Sequence, residues 1–259
     1  MASRIRSHVK ETSAGVRRKL GLKKDVEWAS ELIKDELSFW EKALADGGRD
    51  WNPDEFRLRT DFDLPLQDEL RDLISAAPGT TVRILDVGSG PLTRVGRRWP
   101  GRDVRITAAD PLAEHYHALL RRLGIVPPVP TTFAHGERLL ETFPPSQFDL
   151  AYASNALDHT YDPLKAIEQM LAVTRPGGCV YLWHFANEGK HNCYKGLHQW
   201  NLDTVGNDFI ISDGKIVHSL ASRLGSAVYL ECERTCAYGS DVVIARIRKR
   251  DALPRGSQV

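Results

Sequence analysis

Cysteine and methionine are scarce in this chain, four and two among 259 residues. Cys179, Cys193, Cys232 and Cys236 are too few and too unevenly spaced to staple a protein of this length, so the thiols read as free rather than as a disulfide framework. Cys232-x-x-x-Cys236 lacks the second Cys pair that a structural zinc knuckle needs. Long apolar runs are missing as well. The longest are strand-sized, and Met1-Ala2-Ser3-Arg4-Ile5-Arg6 begins no signal peptide or membrane span, so a cytoplasmic protein without membrane insertion is expected. Neither charge dominates, since 35 Lys and Arg face 34 Asp and Glu for a formal net charge of +1. That balance gives no overall attraction to nucleic acid or anionic lipid, which points to a small-molecule or neutral substrate. There is no internal repeat and no low-complexity tract.

What is present is the make-up of an ordinary globular protein, 42% hydrophobic and 27% charged. Residues 1–24 are basic, with Arg4, Arg6, Lys10, Arg17, Arg18, Lys19, Lys23 and Lys24 and few apolar anchors. They read as a flexible arm that could pack on a second copy in a homo-oligomer. Val26, Leu32, Ile33, Leu37, Trp40 and Leu44 recur at helical spacing up to Gly47-Gly48. A second helix is expected over Leu66 to Ala76, stopped by Pro78-Gly79, so residues 25–79 read as a helical cap. Residues 80–250 read as the main domain, with a polar loop and hairpin inserted at about 185–218. The basic run from Arg246 onward reads as a solvated tail, ending in residues 251–259.

Within 80–250 the rhythm becomes strand, turn, helix, the mark of a parallel sheet with crossover helices. Strands are expected over Val82 to Val87, Asp103 to Ala108, Phe148 to Ala153 and Cys179 to His184, with a helix over Pro163 to Val173. Phe209 to Val217 reads as a hairpin turning at Asp213-Gly214, and the last strands as Ala227 to Glu233 and Asp241 to Ile247.

Asp86-Val87-Gly88-Ser89-Gly90 sits where the first strand gives way to a loop, and its glycines allow positive φ and close approach of a ligand. Thr93 stands where a dinucleotide fold carries its third glycine, which argues against a pyrophosphate. Twenty-four residues after Asp86, Asp110 ends the second strand, where a carboxylate can accept both hydroxyl protons of a ribose.

Ile84-Leu85-Asp86-Val87-Gly88-Ser89-Gly90, Asp110-Pro111, Phe148-Asp149, Asn155-Ala156-Leu157-Asp158-His159 and Arg175-Pro176-Gly177-Gly178 resemble, in order and spacing, the motifs of class I methyltransferases. The resemblance implies an α/β fold, a doubly wound Rossmann-like sheet of seven mostly parallel strands with the helical cap before it. It also implies S-adenosylmethionine as cofactor. Gly88, Ser89 and Gly90 would line its methionine part with Asp86 near the amino group, Asp110, Pro111 and Leu112 would hold the ribose, Gly136-Glu137 would flank the adenine, and Asn155-Ala156 would face the methionine end. His135-Gly136-Glu137-Arg138 departs from the acidic and apolar pair usual at the adenine position.

Methyl transfer needs alignment, exclusion of water and, for a hydroxyl acceptor, a base. His159 and His184 lie where the sheet's ligand-binding edge should open and are the candidate bases, with Asp158 beside the first. The segment 184–201 is polar and aromatic at once, so Glu188, His191, Tyr194, His198 and Trp200 are candidate substrate contacts, joined from the cap by Trp40 and Arg59 with Glu36, Phe39, Trp51 and Arg57 nearby. Cap, loop and histidines together resemble the small O-methyltransferases that act on sugars and polysaccharides, more narrowly the mycobacterial enzymes that methylate a mannose polysaccharide. The expected substrate is therefore a small molecule or oligosaccharide hydroxyl; a quinone, nitrogen or carbon acceptor, or cofactor binding without turnover, are the alternatives. If Mg²⁺ polarises the acceptor, Asp158, His159, His184 and Glu188 are its expected ligands. A nucleic-acid substrate is not expected, since no Asn-Pro-Pro-Tyr follows the fourth strand.

Overall fold

The computed structural model describes residues 23–250, with side chains from Ile33 onward; the basic arm up to residue 22 and the tail at 251–259 lie outside it. Helix α1, Lys23–Leu44, ends at a turn in which Asp46, Gly47 and Gly48 take positive φ. Helix α2, Pro53–Thr60, escaped the sequence reading although its start is signalled. Asn52 accepts hydrogen bonds from the amides of Asp54 and Glu55, and Pro53 occupies the first turn. The helix expected over 66–76 shrinks to α3, Asp68–Arg71. Leu66, Leu70, Leu73 and Ile74 are all buried against the sheet, and an irregular path meets that demand as well as a helix would.

Strands β1 (Thr81–Val87), β2 (Asp103–Asp110), β3 (Thr131–Phe133), β4 (Phe148–Ser154) and β5 (Thr174–Phe185) pair in parallel in the order β3-β2-β1-β4-β5. Between them run α4, Ala113–Leu123, and α5, Pro163–Val173. Gly124 closes α4 in the left-handed conformation, and Asp162 caps α5 by accepting from the Lys165 amide. After β5 come the short helix α6, Glu188–His191, a three-stranded antiparallel sheet of β6 (Asn201–Val205), β7 (Asp208–Ser212) and β8 (Val217–Ser219), and α7, Leu220–Leu224. The β7–β8 turn spans four residues rather than two, because Asp213 accepts from the amides of Lys215 and Ile216. Strands β9 (Val228–Ala237) and β10 (Ser240–Lys249) complete the seven-stranded sheet, with β10 antiparallel to both β5 and β9. The basic run from Arg246 to Lys249 is therefore strand, held in register with Val180 and its neighbours, and not tail.

Alternation along the central strands explains why both faces are covered. Leu85, Val87, Ala151, Ala153, Val180, Leu182, Val243 and Ala245 pack with α5 on one face, while Val82, Ile84, Leu150, Tyr152, Cys179, Tyr181, Val242 and Ile244 meet Leu66, Leu70 and Val95 on the other. A third cluster joins Trp40, Ala43 and Leu44 of α1 to Leu112, Tyr116, Leu119 and Leu120, so the cap rests on α4. Each fully buried side chain of this kind contributes roughly 1.5–3 kcal/mol, which fixes the cap over the C-terminal ends of the strands.

The cap is also stitched to the sheet through backbone. The Leu66 amide donates to the Arg98 carbonyl and the Arg97 amide to that of Leu64. A Cβ on Gly96 would lie 1.9 Å from the Pro65 oxygen, where no flexible side chain can give way. Gly96→Ala is expected to lower stability by about 2–3 kcal/mol, the range of severe overpacking, read as a fall in the urea midpoint. An unchanged midpoint would mean that the 64–66 segment is not seated as described.

Candidate active site

Strands β1, β2, β4 and β5 all end at one edge, and between β1 and β4 the chain order reverses, the place where open α/β sheets bind ligands. A cavity of about 760 Å³ opens there under α1. Its floor is the loop Gly88-Ser89-Gly90, in which both glycines take positive φ. A Cβ on Gly88 would lie 2.4 Å from that of Ala156, and one on Gly90 2.8 Å from the Trp40 ring. The loop is thus clamped between the end of β4 and the cap, with its backbone laid bare to the cavity.

Two buried carboxylates flank this floor. Asp86 accepts from the Thr93 hydroxyl at 2.5 Å, and burial pushes its pKa up to about 6 against the Thr93 bond and the charges of Arg59 and Arg94. Asp110 accepts from the amides of Gly90, at 3.1 Å, and Leu112, at 2.8 Å, tying the glycine loop to the start of α4. Burial pushes it up to about 7, helped by Glu36 and Asp86 and opposed by those two amides. Glu137 is likewise raised to about 7 by burial, and its carboxylate accepts from the Tyr161 amide, so it braces the loop before α5 as well as lining the cavity. Pro111, Leu112, Gly136, Asn155 and Ala156 also line it. Asn155 holds φ +48 while its side-chain oxygen accepts from the Phe185 amide, locking the ends of β4 and β5 together.

The remaining walls depart from the sequence reading. Trp40 and Arg59 reach the cavity, but Trp40 is clamped on Gly90 and donates to Glu36, and the Arg59 guanidinium stands 5.4 Å over the Trp51 ring and bonds to Glu55. Arg57, at the surface, is outside it. Glu188, His191, Tyr194 and Trp200 do not line the cavity. Their segment folds on itself instead. The Gly189 amide donates to the Trp200 carbonyl, the Trp200 indole to the Thr160 carbonyl, the Asn201 side chain to the Tyr194 hydroxyl, and His191 points to solvent. Of the polar loop, Asn192, Lys195, Gly196, Leu197 and His198 face the cavity.

Sequence reasoning passed over an aromatic wall and its cation. Trp183 and Phe185 at the end of β5 pack edge to face at 5.1 Å, and Tyr238 from the β9–β10 turn lies 6.3 Å from Trp183. Arg94 stands 5.8 Å over Trp183 and bonds to Glu55 at 2.9 Å. Burial opposes its charge, yet Tyr152, Glu55 and Tyr238 raise its pKa further. Trp183 and Phe185 lie two apart in a strand-end run, a pattern that signals one shared face. Tyr238-Gly239 carried no signal beyond a turn.

The histidines sort unequally. His184 is sealed in β5 away from the cavity, neither ring nitrogen has a hydrogen-bond partner within the protein, and burial pushes its pKa down to about 4. A neutral, enclosed imidazole cannot reach an acceptor, so the structure removes His184 from the candidate bases. His159 and His198 do line the cavity, with Asp158 buried behind them. His198 Nδ1 lies 2.7 Å from Asp158 Oδ2, and that bond raises the His198 pKa. Burial works to raise the Asp158 carboxyl, but His159 and His198 outweigh it and hold it below the usual range.

The clamp on the glycine loop is open to test by a double substitution. Gly88→Ala should cost about 2 kcal/mol through positive φ and the clash with Ala156, and Ala156→Gly in the same chain should restore the clash portion, read as unfolding midpoints. Equal loss in single and double variants would show that the two loops do not touch.

Residues 85–182 match the family described as a methyltransferase domain. The ubiquinone/menaquinone biosynthesis C-methyltransferase UbiE of Hydrogenovibrio crunogenus is 30% identical over 118 residues, 44% of this chain and 46% of that protein. Its namesake from Enterobacter sp. is 29% identical over 152 residues, 56% and 59% of the two. The chain spans about half the length of the curated relatives it matches. A solved structure of the Burkholderia thailandensis 1,6-didemethyltoxoflavin-N1-methyltransferase, with 1,6-didemethyltoxoflavin and S-adenosylhomocysteine bound, is similar over 87% of this chain and 90% of that one, with 20% identity and a TM-score of 0.46. The stretch from Leu85 to Leu182 thus matches a methyltransferase domain, and it carries the glycine loop, Asp110, Glu137 and the β4 exit that line the cavity.

Proposed function

We propose that the whole protein binds S-adenosylmethionine in the cavity and methylates a planar, conjugated small molecule held against the wall of Trp183, Phe185 and Tyr238. The observation that carries the acceptor class is this wall. Offset and edge-to-face contacts suit a flat ring, and the relatives named for quinone C-methylation are in keeping with it. A sugar hydroxyl rested on cap, loop and histidines together, and with Glu188, His191, Tyr194 and Trp200 turned elsewhere that reading keeps only His198 of its loop contacts, beside Trp40 and Arg59 of the cap.

The donor set fits the cofactor. Asp86 and Asp110 are buried acceptors that suit an ammonium and a pair of ribose hydroxyls, whereas two carboxylates at the glycine loop would repel a phosphate. Gly88 and Gly90 line the cavity with backbone alone, and Arg94, shared with Glu55 beside Asp86, is the cation that suits the methionine carboxylate. When bound, the cofactor supplies a methyl group on a sulfonium, open to displacement in line. The protein's own part is to align the acceptor, to keep water out with the cap, and to offer His159 and His198 beside the acceptor atom.

Acceptor class is tested by release of S-adenosylhomocysteine from a panel of quinols, phenols and aza-aromatic rings beside free and oligomeric sugars. Turnover is expected with a planar ring, and Trp183→Leu should lower kcat/KM by about tenfold or more without weakening the cofactor, roughly the worth of an aromatic contact. Turnover of sugars alone would overturn the acceptor reading.

Cofactor affinity should also depend on pH. Burial raises Asp86 to about 6 and Asp110 to about 7 from a usual value of 3.8, so the free protein favours their protonated forms and this pair's contribution to its stability declines as pH rises from about 4 through 7. The ionised carboxylates are the better acceptors for ammonium and hydroxyl donors. Calorimetry should therefore show affinity strengthening from pH 5 to 8 and then levelling, and Asp110→Asn should weaken it about 10–100-fold and remove the upper inflection. No binding by the folded wild-type protein at any pH would sink the proposed activity.

A further inference from the structure

The loop after β4 and the loop before β6 bring three ligand atoms to one point. His198 Nδ1 lies 2.7 Å from Asp158 Oδ2, and His159 Nε2 lies 3.2 Å from His198 Nδ1 and 3.4 Å from Asp158 Oδ2. Neighbouring ligands of an ion bound at roughly 2.0–2.1 Å stand about 3.0–3.4 Å apart, so this triangle needs only a small opening on its shortest side. A hydrogen-bonded relay has no need of it, since a relay runs atom to atom and a proton on one of three mutually close atoms can satisfy few of their contacts.

Two further observations point the same way. Asp158 Oδ1 is buried with no hydrogen-bond partner in the protein, leaving the carboxylate with unused acceptor capacity at the cluster. Behind the imidazoles stand more carboxylates. Glu36 Oε2 lies 4.0 Å from His159 Nδ1, the ring nitrogen away from the triangle, and Glu188 Oε2 lies 3.8 Å from His198 Nδ1. A carboxylate on the far nitrogen of a ligating imidazole is the usual outer partner that fixes its orientation, the place Glu36 takes for His159, while Glu188, on the same nitrogen of His198 as Asp158, adds to the local excess of negative charge that suits a cation.

We propose that Asp158 Oδ2, His159 Nε2 and His198 Nδ1 hold one divalent first-row transition ion, with its remaining positions open to the cavity. Two imidazoles with one carboxylate favour zinc or cobalt over magnesium, which prefers oxygen. This set differs from the one expected from sequence: His184 is sealed off, His198 stands in its place, and Glu188 lies outside the triangle at 3.8 Å from His198 Nδ1. The inference rests on the proposed function only for what fills the open positions, an oxygen of the acceptor, whose acidity such an ion would increase.

The test uses the full-length chain, stripped with chelator and dialysed against Co²⁺ or Zn²⁺. One ion per chain is expected by elemental analysis, with Co²⁺ giving visible absorption bands of nitrogen and oxygen ligation. His159→Gln and His198→Gln should each weaken the ion by at least about tenfold, while His115→Gln, on the exposed face of α4, should not. Substoichiometric binding by the wild-type chain, or full affinity retained in both histidine variants, would overturn the site. Calorimetry with S-adenosylmethionine on the same sample separates the readings: cofactor binding without metal sinks the metal site alone, and metal without cofactor sinks the proposed activity alone.

Discussion

The close approach of backbone at Gly88 and Gly90 is the constraint on which the cavity depends. Positive φ at both residues turns the chain back above β1, and Ala156 on one side with the Trp40 ring on the other leave no room for a Cβ. Three regions distant in sequence are thereby registered against one another: the cap, the first strand's exit and the fourth strand's exit. Asp110 adds the fourth, since its two oxygens take the amides of Gly90 and Leu112. The same carboxylate that braces the loop is raised toward neutrality by the burial that bracing requires, so structure and ligand affinity draw on one group.

Electrostatics at this end of the sheet are arranged by sign. Asp86, Asp110 and Glu36 gather around the glycine loop, while Arg59 and Arg94 are bound to Glu55 and lie over aromatic faces. The guanidinium pair would oppose a cationic ligand if it were free. Shared between Glu55 and the rings, it instead offsets enough of the acidic charge for Asp86 to remain near titration rather than fully protonated. Such a balance tolerates a ligand carrying both an ammonium and a carboxylate better than one carrying a phosphate.

How much was legible in the sequence follows from periodicity. Helix α5 stands at the bounds its pattern set, Pro163 to Val173, because cap, proline and apolar stripe agree there. The strands were legible too, though β2, β4 and β10 each run beyond the expected bounds, as ladders continue where neighbours offer partners. Helix α4 and strand β3 went unread because β3 is three residues long and α4 opens without a side-chain cap. At the site, the glycine loop and Asp110 were visible because φ and burial demand particular residues there. The fate of segment 184–201 was not, because which way a loop faces is decided by bonds such as Trp200 to Thr160, between residues forty apart, and no local rule carries those.

His184 and His198 show the same limit from the other side. Both follow strand-end or loop positions in sequence, and both bear the same imidazole, yet one register step on β5 turns His184 into the sheet while Trp183 and Phe185 face the cavity. His198 reaches Asp158 because the Gln199 amide donates to the Asp158 carbonyl, holding the loop against the exit of β4. The side chain that matters is therefore chosen by backbone bonds around it, and an acid buried at the centre of the cluster collects imidazoles only from loops so tethered. That is how Asp158, outside the cavity lining itself, sets where His198 stands within it.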